Sequence, residues 1–359
     1  MSFKKYLYNL ATDRSNGFGA GVMKILLFLL SLVYGLIIRM LILFQGLNRR
    51  SLRCKVISVG NITLGGTGKT CLVEFIAGYL KERGRSAAII SRGYKRRPAG
   101  NPEDNKQYAA MGDEPFMLQS NLKDTPVIVD ADRARAAAFA IGKYGADTVI
   151  LDDGFQQWKI KKDLEIVTVD SVNPFGNRQM IPRGILREPL SSLKRADIFV
   201  LTNTNLNAGA RQIAGYLSGI NKDALIVESI HEPAGFYAFR AQDKLLSVKT
   251  LESKPVLLFS GIGNPDSFEN AVKGLGIKIN ASLRFPDHHS YSDEELDNIV
   301  KEAKESGALA LITTQKDTAR ISALPEREYG LPVFVLKVRL KIIKNEQGFY
   351  NRLLGLYSV

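Results

Sequence analysis

Apolar positions along the chain change period several times, and each change marks an element. Residues 56–59 form a short continuous apolar run, the pattern of a buried strand. From 71 to 81 the spacing becomes helical, with Leu72, Phe75, Ile76, Tyr79 and Leu80 on one side. Short apolar strands recur at 87–91, 126–129, 147–151, 165–170 and 197–201. Helical stretches separate them: one opens at Pro115 behind Asp113 and Glu114, and an Ala-rich one covers 133–144. Strand alternating with helix predicts an α/β fold with a parallel sheet and helices on both faces. A smaller α/β unit begins near residue 255. It has a strand at 256–260, a glycine turn, helices at 265–275 and 293–306, and a strand at 308–313. The expected organisation is a hydrophobic N-terminal helix (1–50), a core unit (51–227), a linker acting as a hinge (228–254) and a C-terminal unit (255–359).

The N-terminal segment has its own pattern. Residues 25–38 carry no charge, Arg39 interrupts, and 40–44 resume the apolar run. Fourteen residues fall short of the roughly 20 that span a bilayer, although the interrupted stretch to Phe44 would reach. No small-residue cleavage site follows, so a secretory signal is not expected. Lys4, Lys5, Arg14 and Lys24 precede the run, and Arg49, Arg50, Arg53 and Lys55 follow it. Basic residues on both flanks favour translocating neither. The expectation is a helix in the cytoplasmic membrane interface, its flanks on anionic headgroups. A spanning helix and a buried core helix are the alternatives. The net charge of +13 and the pI near 9.6 add an anionic partner to this picture. Two cysteines, Cys54 and Cys71, and three histidines exclude a disulfide framework and a His-rich metal centre.

The most informative chemistry lies between the first strand and the first core helix, in Thr63-Leu64-Gly65-Gly66-Thr67-Gly68-Lys69-Thr70. Gly65, Gly66 and Gly68 allow backbone N–H groups to turn inward around a phosphate. Lys69 supplies positive charge to the terminal phosphates, and Thr70 a hydroxyl for Mg²⁺. This is a phosphate-binding loop, and it implies a nucleoside triphosphate. Thr63 stands where the usual pattern opens with glycine. The strand at 147–151 runs into Asp152 and Asp153, whose carboxylates suit the magnesium side of such a loop. Asp113 and Glu114 at a helix start read either as dipole stabilisation or as a base for an attacking hydroxyl. Asp287-His288 offers a carboxylate–imidazole pair to orient that base. Arg183, Arg187 and Glu188 occupy a loop in which arginine could neutralise transition-state phosphate charge.

Taken together, these residues resemble the tetraacyldisaccharide 4'-kinases, the lipid A 4'-kinases of Gram-negative bacteria. The resemblance spans nearly the whole chain. It rests on the hydrophobic helix, Val59-Gly60-Asn61, the phosphate loop, Ser91-Arg92-Gly93-Tyr94, Gly112-Asp113-Glu114-Pro115 and Asp152-Asp153-Gly154-Phe155-Gln156. Leu186-Arg187-Glu188-Pro189, Phe285-Pro286-Asp287-His288 and Thr314-Gln315-Lys316-Asp317 complete the ordered set. The family implies a P-loop fold and transfer of the γ-phosphate of ATP, with Mg²⁺, to the 4'-hydroxyl of an acylated disaccharide 1-phosphate, giving lipid IVA. The place of action is the cytoplasmic face of the inner membrane. The resemblance puts Asp113 at the catalytic aspartate and His288 at its partner. Lys69 and Thr70 would hold the triphosphate and metal, with Asp152 and Asp153 on the metal side. Arg92, Tyr94, Glu114, Gln156, Arg187 and Glu188 fall on substrate or supporting positions.

The chain departs from the family pattern at Gln157, where histidine is common, at Gln315, where glutamate is usual, and at Arg183, which replaces alanine and was expected near the site. Two readings of other classes compete. A membrane-docked NTPase switch would hydrolyse ATP without a glycolipid and need no Asp113–His288 pair. A nucleic-acid-dependent ATPase would interleave aromatic and basic residues on a stacking surface. The chain has no such cluster, so no nucleic-acid partner is expected. The expectation is a monomer acting on a glycolipid.

Overall fold

The computed structural model of the chain describes residues 9–13, 15, 17–92, 111–252, 254–321 and 329–358. Its elements in chain order are α1 (Phe18–Leu47), β1 (Lys55–Gly60), α2 (Lys69–Lys81), β2 (Ala87–Ser91), α3 (Asp113–Asn121), β3 (Val127–Val129), α4 (Arg133–Tyr144), β4 (Thr148–Asp152), β5 (Leu164–Asp170), β6 (Ile198–Thr202), α5 (Ala210–Ile220) and β7 (Leu225–Ala238). There follow β8 (Ala241–Leu246), β9 (Val256–Ser260), α6 (Pro265–Gly274), β10 (Ile279–Arg284), α7 (Asp293–Glu305), β11 (Ala310–Thr314), α8 (Gln315–Ile321), β12 (Val333–Lys344) and α9 (Glu346–Leu354).

The expected α/β architecture is present, with helices on both faces of a largely parallel sheet. Among the described residues one sheet of twelve strands runs β10-β9-β11-β12-β7-β6-β5-β1-β4-β2-β3, with β8 added to β7. Strands β1, β2, β4 and β9 are buried along nearly their whole length, which is why each reads as a continuous apolar run rather than an alternation. Local signals set helix ends. The Asp132 side chain accepts from the N–H groups of Ala134 and Arg135 to start α4, and Gly145, at φ 63°, closes it. Ser292 and Glu295 form a capping box at the head of α7.

Regular structure occupies much of the segment expected as a linker, 228–254. Strand β7 crosses it. Its first residues pair in parallel with β6, from Ile198↔Leu225 to Leu201↔Glu228, and the rest pairs antiparallel with β12, from Lys344↔Glu228 to Phe334↔Ala238. This single strand decides the geometry of the site. β7 runs past the C-terminal edge of the first half, and β12 returns toward it. β11 and β9 are parallel to β12. The C-terminal strand edges of the two halves therefore face each other across a cleft. In open α/β sheets such edges carry the ligand sites, and here two of them converge.

Helix α1 is longer than its apolar run predicts, continuing through Arg39. Its mean hydropathy reaches 2.6, yet only 22% of that stretch is buried. The covered positions are Ala20, Leu27, Ser31, Gly35 and Ile38, a narrow stripe of mostly small residues. Ile25, Leu29, Leu36 and Phe44 each stay more than half exposed. The core-helix alternative fails on this exposure.

Candidate active site

The phosphate loop begins where β1 ends. Gly65 and Gly68 have φ of +110° and +80°, left-handed values that let the chain turn into α2. Lys69 and Thr70 are the first two residues of that helix, beside its N-terminal N–H groups. Thr63 takes the place of a glycine without strain, since its φ is not positive, and its backbone bridges Leu186. On either side of it, Leu64 N–H donates to Ile185 O at 2.8 Å and Arg187 N–H to Ile62 O at 2.8 Å. This short ladder sets Arg187 beside the loop. The Thr67 hydroxyl lies 2.7 Å from that of Thr168, bracing the loop from beneath.

Around the loop, two cations and two oxygen-bearing side chains interlock. Lys69 Nζ donates to Asn61 Oδ1 at 3.1 Å and lies 3.5 Å from Asp153 Oδ1. Arg187 grips Asp153 through two bonds of 2.9 Å each, and its Nη2 also reaches both Asn61 oxygens. Burial pushes the Asp153 carboxyl up, but the Lys69 charge and the Arg187 bonds outweigh it and hold the group well below the usual carboxylate range. Asp152 is the opposite case. It is buried and accepts from Ser91 Oγ at 3.2 Å. Burial, followed by the negative charges of Glu114 and Asp153, pushes it up to about 7. The turn that carries both acids is fixed by Lys162, whose Nζ donates to Gly154 O at 2.8 Å and Phe155 O at 3.2 Å.

Facing this group across the cleft is the expected pair. Asp113, first residue of α3, comes from the first half; His288 follows β10 in the second. Asp113 Oδ2 lies 3.0 Å from His288 Nδ1. His288 has φ 61°, a left-handed value that aims its ring out of the loop. Lys316 Nζ donates to Glu114 at 3.2 Å, and Gln315 Nε2 to Asn121 Oδ1 at 3.1 Å, so α8 packs against α3. The Glu114 carboxylate, next to Asp113 in the chain, also acts by its charge on Asp152.

Other expected site residues are placed differently. Gln156 Nε2 donates to Asn61 O at 3.2 Å and to Glu188 at 3.0 Å. Glu188 is fully buried, holding Trp158 at 3.1 Å and Arg195 at 2.9 Å as well. Both residues support the Arg187 segment from behind. Arg183, expected near the site, spends its guanidinium on the N-terminal segment. Its guanidinium binds Leu10 O at 3.1 Å and Asp13 at 2.7 Å, and Lys24 of α1 shares Asp13 at 2.9 Å. The arginine therefore anchors the N-terminal segment. Arg92 is exposed at the end of β2; Tyr94 lies outside the described residues. Gln157 closes the acidic turn through its N–H to Gly154 O at 2.9 Å.

Three contributors have roles that the local sequence does not announce, although Asn61 belongs to the motif Val59-Gly60-Asn61. Asn61 is the hub between Lys69 and Arg187. Arg320 reaches Asp113 from α8. His231 of β7 packs on Gly68 so closely that a Cβ there would meet its Cε1 at 2.7 Å, and its Nδ1 lies 2.9 Å from Asn203 Oδ1. Burial pushes the His231 imidazole below its ordinary value. The unfolded chain then takes up the proton first as pH drops. This contribution to stability is complete above about pH 6.5 and is lost as pH falls through the lowered value, by up to ~1.4 kcal/mol per pH unit. His231→Gln is expected to flatten the decline of Tm between pH 6.5 and 5; an unchanged slope would show that the ring does not titrate on unfolding.

A family described as tetraacyldisaccharide-1-P 4'-kinase, LpxK, matches residues 23–357. The chain belongs to this family. Named tetraacyldisaccharide 4'-kinases are similar to it over most of their length. That of Halothermothrix orenii is 35% identical, covering 89% of this chain and 90% of the relative. That of Elusimicrobium minutum is 38% identical, covering 81% and 80%. The crystal structure of LpxK from Aquifex aeolicus, in complex with ATP, superposes with a TM-score of 0.73 at 28% identity, over 94% of this chain and all of that one. The LpxK fold is thus shared over nearly the whole chain.

Proposed function

We infer that the chain is an ATP-dependent 4'-kinase, transferring the γ-phosphate of ATP to the 4'-hydroxyl of tetraacyldisaccharide 1-phosphate to give lipid IVA. The observation that carries the mechanism is the 3.0 Å contact between Asp113 and His288 opposite the phosphate loop. A phosphoryl donor on Lys69 and an acceptor hydroxyl at Asp113 would share the cleft, with the imidazole orienting the carboxylate. Lys69 and the loop N–H groups bind and polarise the terminal phosphates, and Arg187 waits on the same side.

Magnesium fits the residues present. Its preferred ligands are hard oxygens, and Thr70, Asp152 and Asp153 offer a hydroxyl and two carboxylates. The raised proton affinity of buried Asp152, crowded by Glu114 and Asp153, is the mark of negative charge that a divalent cation offsets. Bound there, the ion would neutralise charge on the β- and γ-phosphates.

The test is radiolabelled ATP with the full chain in detergent, with and without tetraacyldisaccharide 1-phosphate, followed by thin-layer separation of lipids. Label entering lipid only with the acceptor supports the proposal. ATP hydrolysis without lipid labelling would favour the NTPase-switch reading.

We also place the protein on the cytoplasmic leaflet of the inner membrane, on the strength of the bare apolar face of α1 and its basic flanks. Replacing exposed Ile25, Leu29 and Leu36 by glutamine removes apolar area worth ~1.5–3 kcal/mol per side chain when buried. Affinity for anionic vesicles should drop at least about tenfold, and the remainder should weaken with salt. Full-length protein that ignores such vesicles at low salt would overturn the placement.

A further inference from the structure

We propose that Arg320 is a positioning residue for phosphoryl transfer: its guanidinium ties the Asp113 carboxylate to the C-terminal half and holds it ionised beside His288. The inference rests on the reading of Asp113 as the group that accepts the hydroxyl proton, and names what fixes it.

Arg320 lies on α8 with its side chain only 2% exposed. One side of its fork faces its own half. Nη1 donates to Gly261 O at 2.6 Å and to Asp317 Oδ1 at 3.2 Å. Asp317 is fully buried and rigidly held by Gly261 N–H at 2.9 Å, the Tyr291 hydroxyl at 3.0 Å and the Thr314 hydroxyl at 2.6 Å. The other side of the fork faces across the cleft, where Nε donates to Asp113 Oδ2 at 2.8 Å. The same Gly261 carbonyl accepts the His288 N–H at 3.0 Å. Both members of the dyad therefore hang from one knot, His288 by its backbone and Asp113 by its side chain.

A buried arginine with Asp317 alone would be a local ion pair within α8. The second carboxylate changes its meaning, because it belongs to the other half of the molecule and stands opposite the phosphate loop. Asp113 meets His288 from the loop after β10 and Arg320 from α8; beyond them lie Asp287 beside His288, Asp317 beside Arg320 with Tyr291 behind it, and Lys316 on Glu114. Glu114 adjoins it on α3, toward Asp152 and Lys69. Within this set Arg320 is the cation in direct contact with the Asp113 carboxylate that cannot be deprotonated at working pH. It favours the ionised form and fixes its direction with a planar fork, which a lysine ammonium does not reproduce.

The experiment measures kcat and KM for ATP across pH for Arg320→Gln, Arg320→Lys and Asp113→Asn in the full chain, with circular dichroism to confirm folding. Arg320→Gln is expected to lower kcat about 100-fold with KM for ATP within about twofold, and to move the acid limb of kcat up by about one pH unit. Arg320→Lys keeps the charge but loses the fork, so kcat should fall about tenfold with the limb unmoved. A folded Arg320→Lys enzyme with parental kcat, or an Arg320→Gln enzyme whose limb stays put, overturns the inference. Should Arg320→Gln not fold, Arg320→Lys decides. A fully active Asp113→Asn would instead sink the proton-acceptor reading itself. Loss there, with an unmoved limb in Arg320→Gln, would sink only the role of Arg320.

Discussion

Lys69→Ala is expected to lower kcat by about 10²–10³ while leaving the protein folded, because it removes one preorganised charge from the transferring phosphoryl group. The fold should survive. Lys69 is the first residue of α2, and its ammonium pairs with Asn61 Oδ1 and Asp153 Oδ1. Asp153 retains its two bonds to Arg187, so no charge is stranded. The same geometry implies a rearrangement on nucleotide binding. Lys69 is engaged with Asp153 here, and triphosphate oxygens would compete for it. Part of the loss in Lys69→Ala should therefore be seen in KM for ATP and the larger part in kcat, since charge builds on the phosphoryl group only in the transition state. Steady-state kinetics of a variant with a parental circular dichroism spectrum measures this. Near-normal turnover would remove the phosphate loop from the chemistry and the kinase mechanism with it.

The parts legible in the sequence are those whose signals are local. The phosphate loop joins a buried strand to an amphipathic helix within a few residues, and Asp152 ends an apolar run that can only be an interior strand. Both stand where their patterns put them. The dyad was legible only as two candidate pieces, a carboxylate at a helix start and a carboxylate–imidazole pair, because residues 113 and 288 are far apart in the chain; the family resemblance is what joined them. Strand β7 explains the largest difference. Its sequence, LIVESIHEPAGFYA, contains Pro233 and Gly235, and its pattern lacks a clean alternation. The proline is tolerated at a register shift against β12, between Lys337 and Val338. A segment that reads as a linker is therefore the strand that turns one sheet edge to face the other. Arg183 shows the converse. A basic residue in the right loop suggested a phosphate ligand, yet its partners are Leu10 O and Asp13, which only the packing of the N-terminal segment brings near. Arg320 sits three positions after Asp317, a spacing that predicts a local helix pair; its reach to Asp113 comes from the packing of α8 on α3, which no local pattern announces.

The other large effect is expected from the dyad. The positive end of the α3 dipole and the Arg320 guanidinium both favour ionised Asp113, so the carboxylate is a weak base. An ordinary aspartate, with a pKa of about 3.9, is poorly matched to a sugar hydroxyl. Phosphoryl transfer eases the mismatch, because its transition state is loose and the hydroxyl proton can leave late. What the site must provide is a carboxylate held at the right place, and His288, 3.0 Å away, shares in holding it and in relaying the proton. Asp113→Ala and His288→Ala should each lower kcat by about 10²–10⁴ with smaller changes in KM for ATP. Because the two act on one proton, the double variant should be far less damaged than the product of the single losses. A double-mutant cycle on kcat reads the difference directly. Multiplicative losses would assign the two residues separate tasks, with Asp113 at the hydroxyl and His288 elsewhere. A His288→Ala enzyme of parental activity would return that histidine to a surface-loop role.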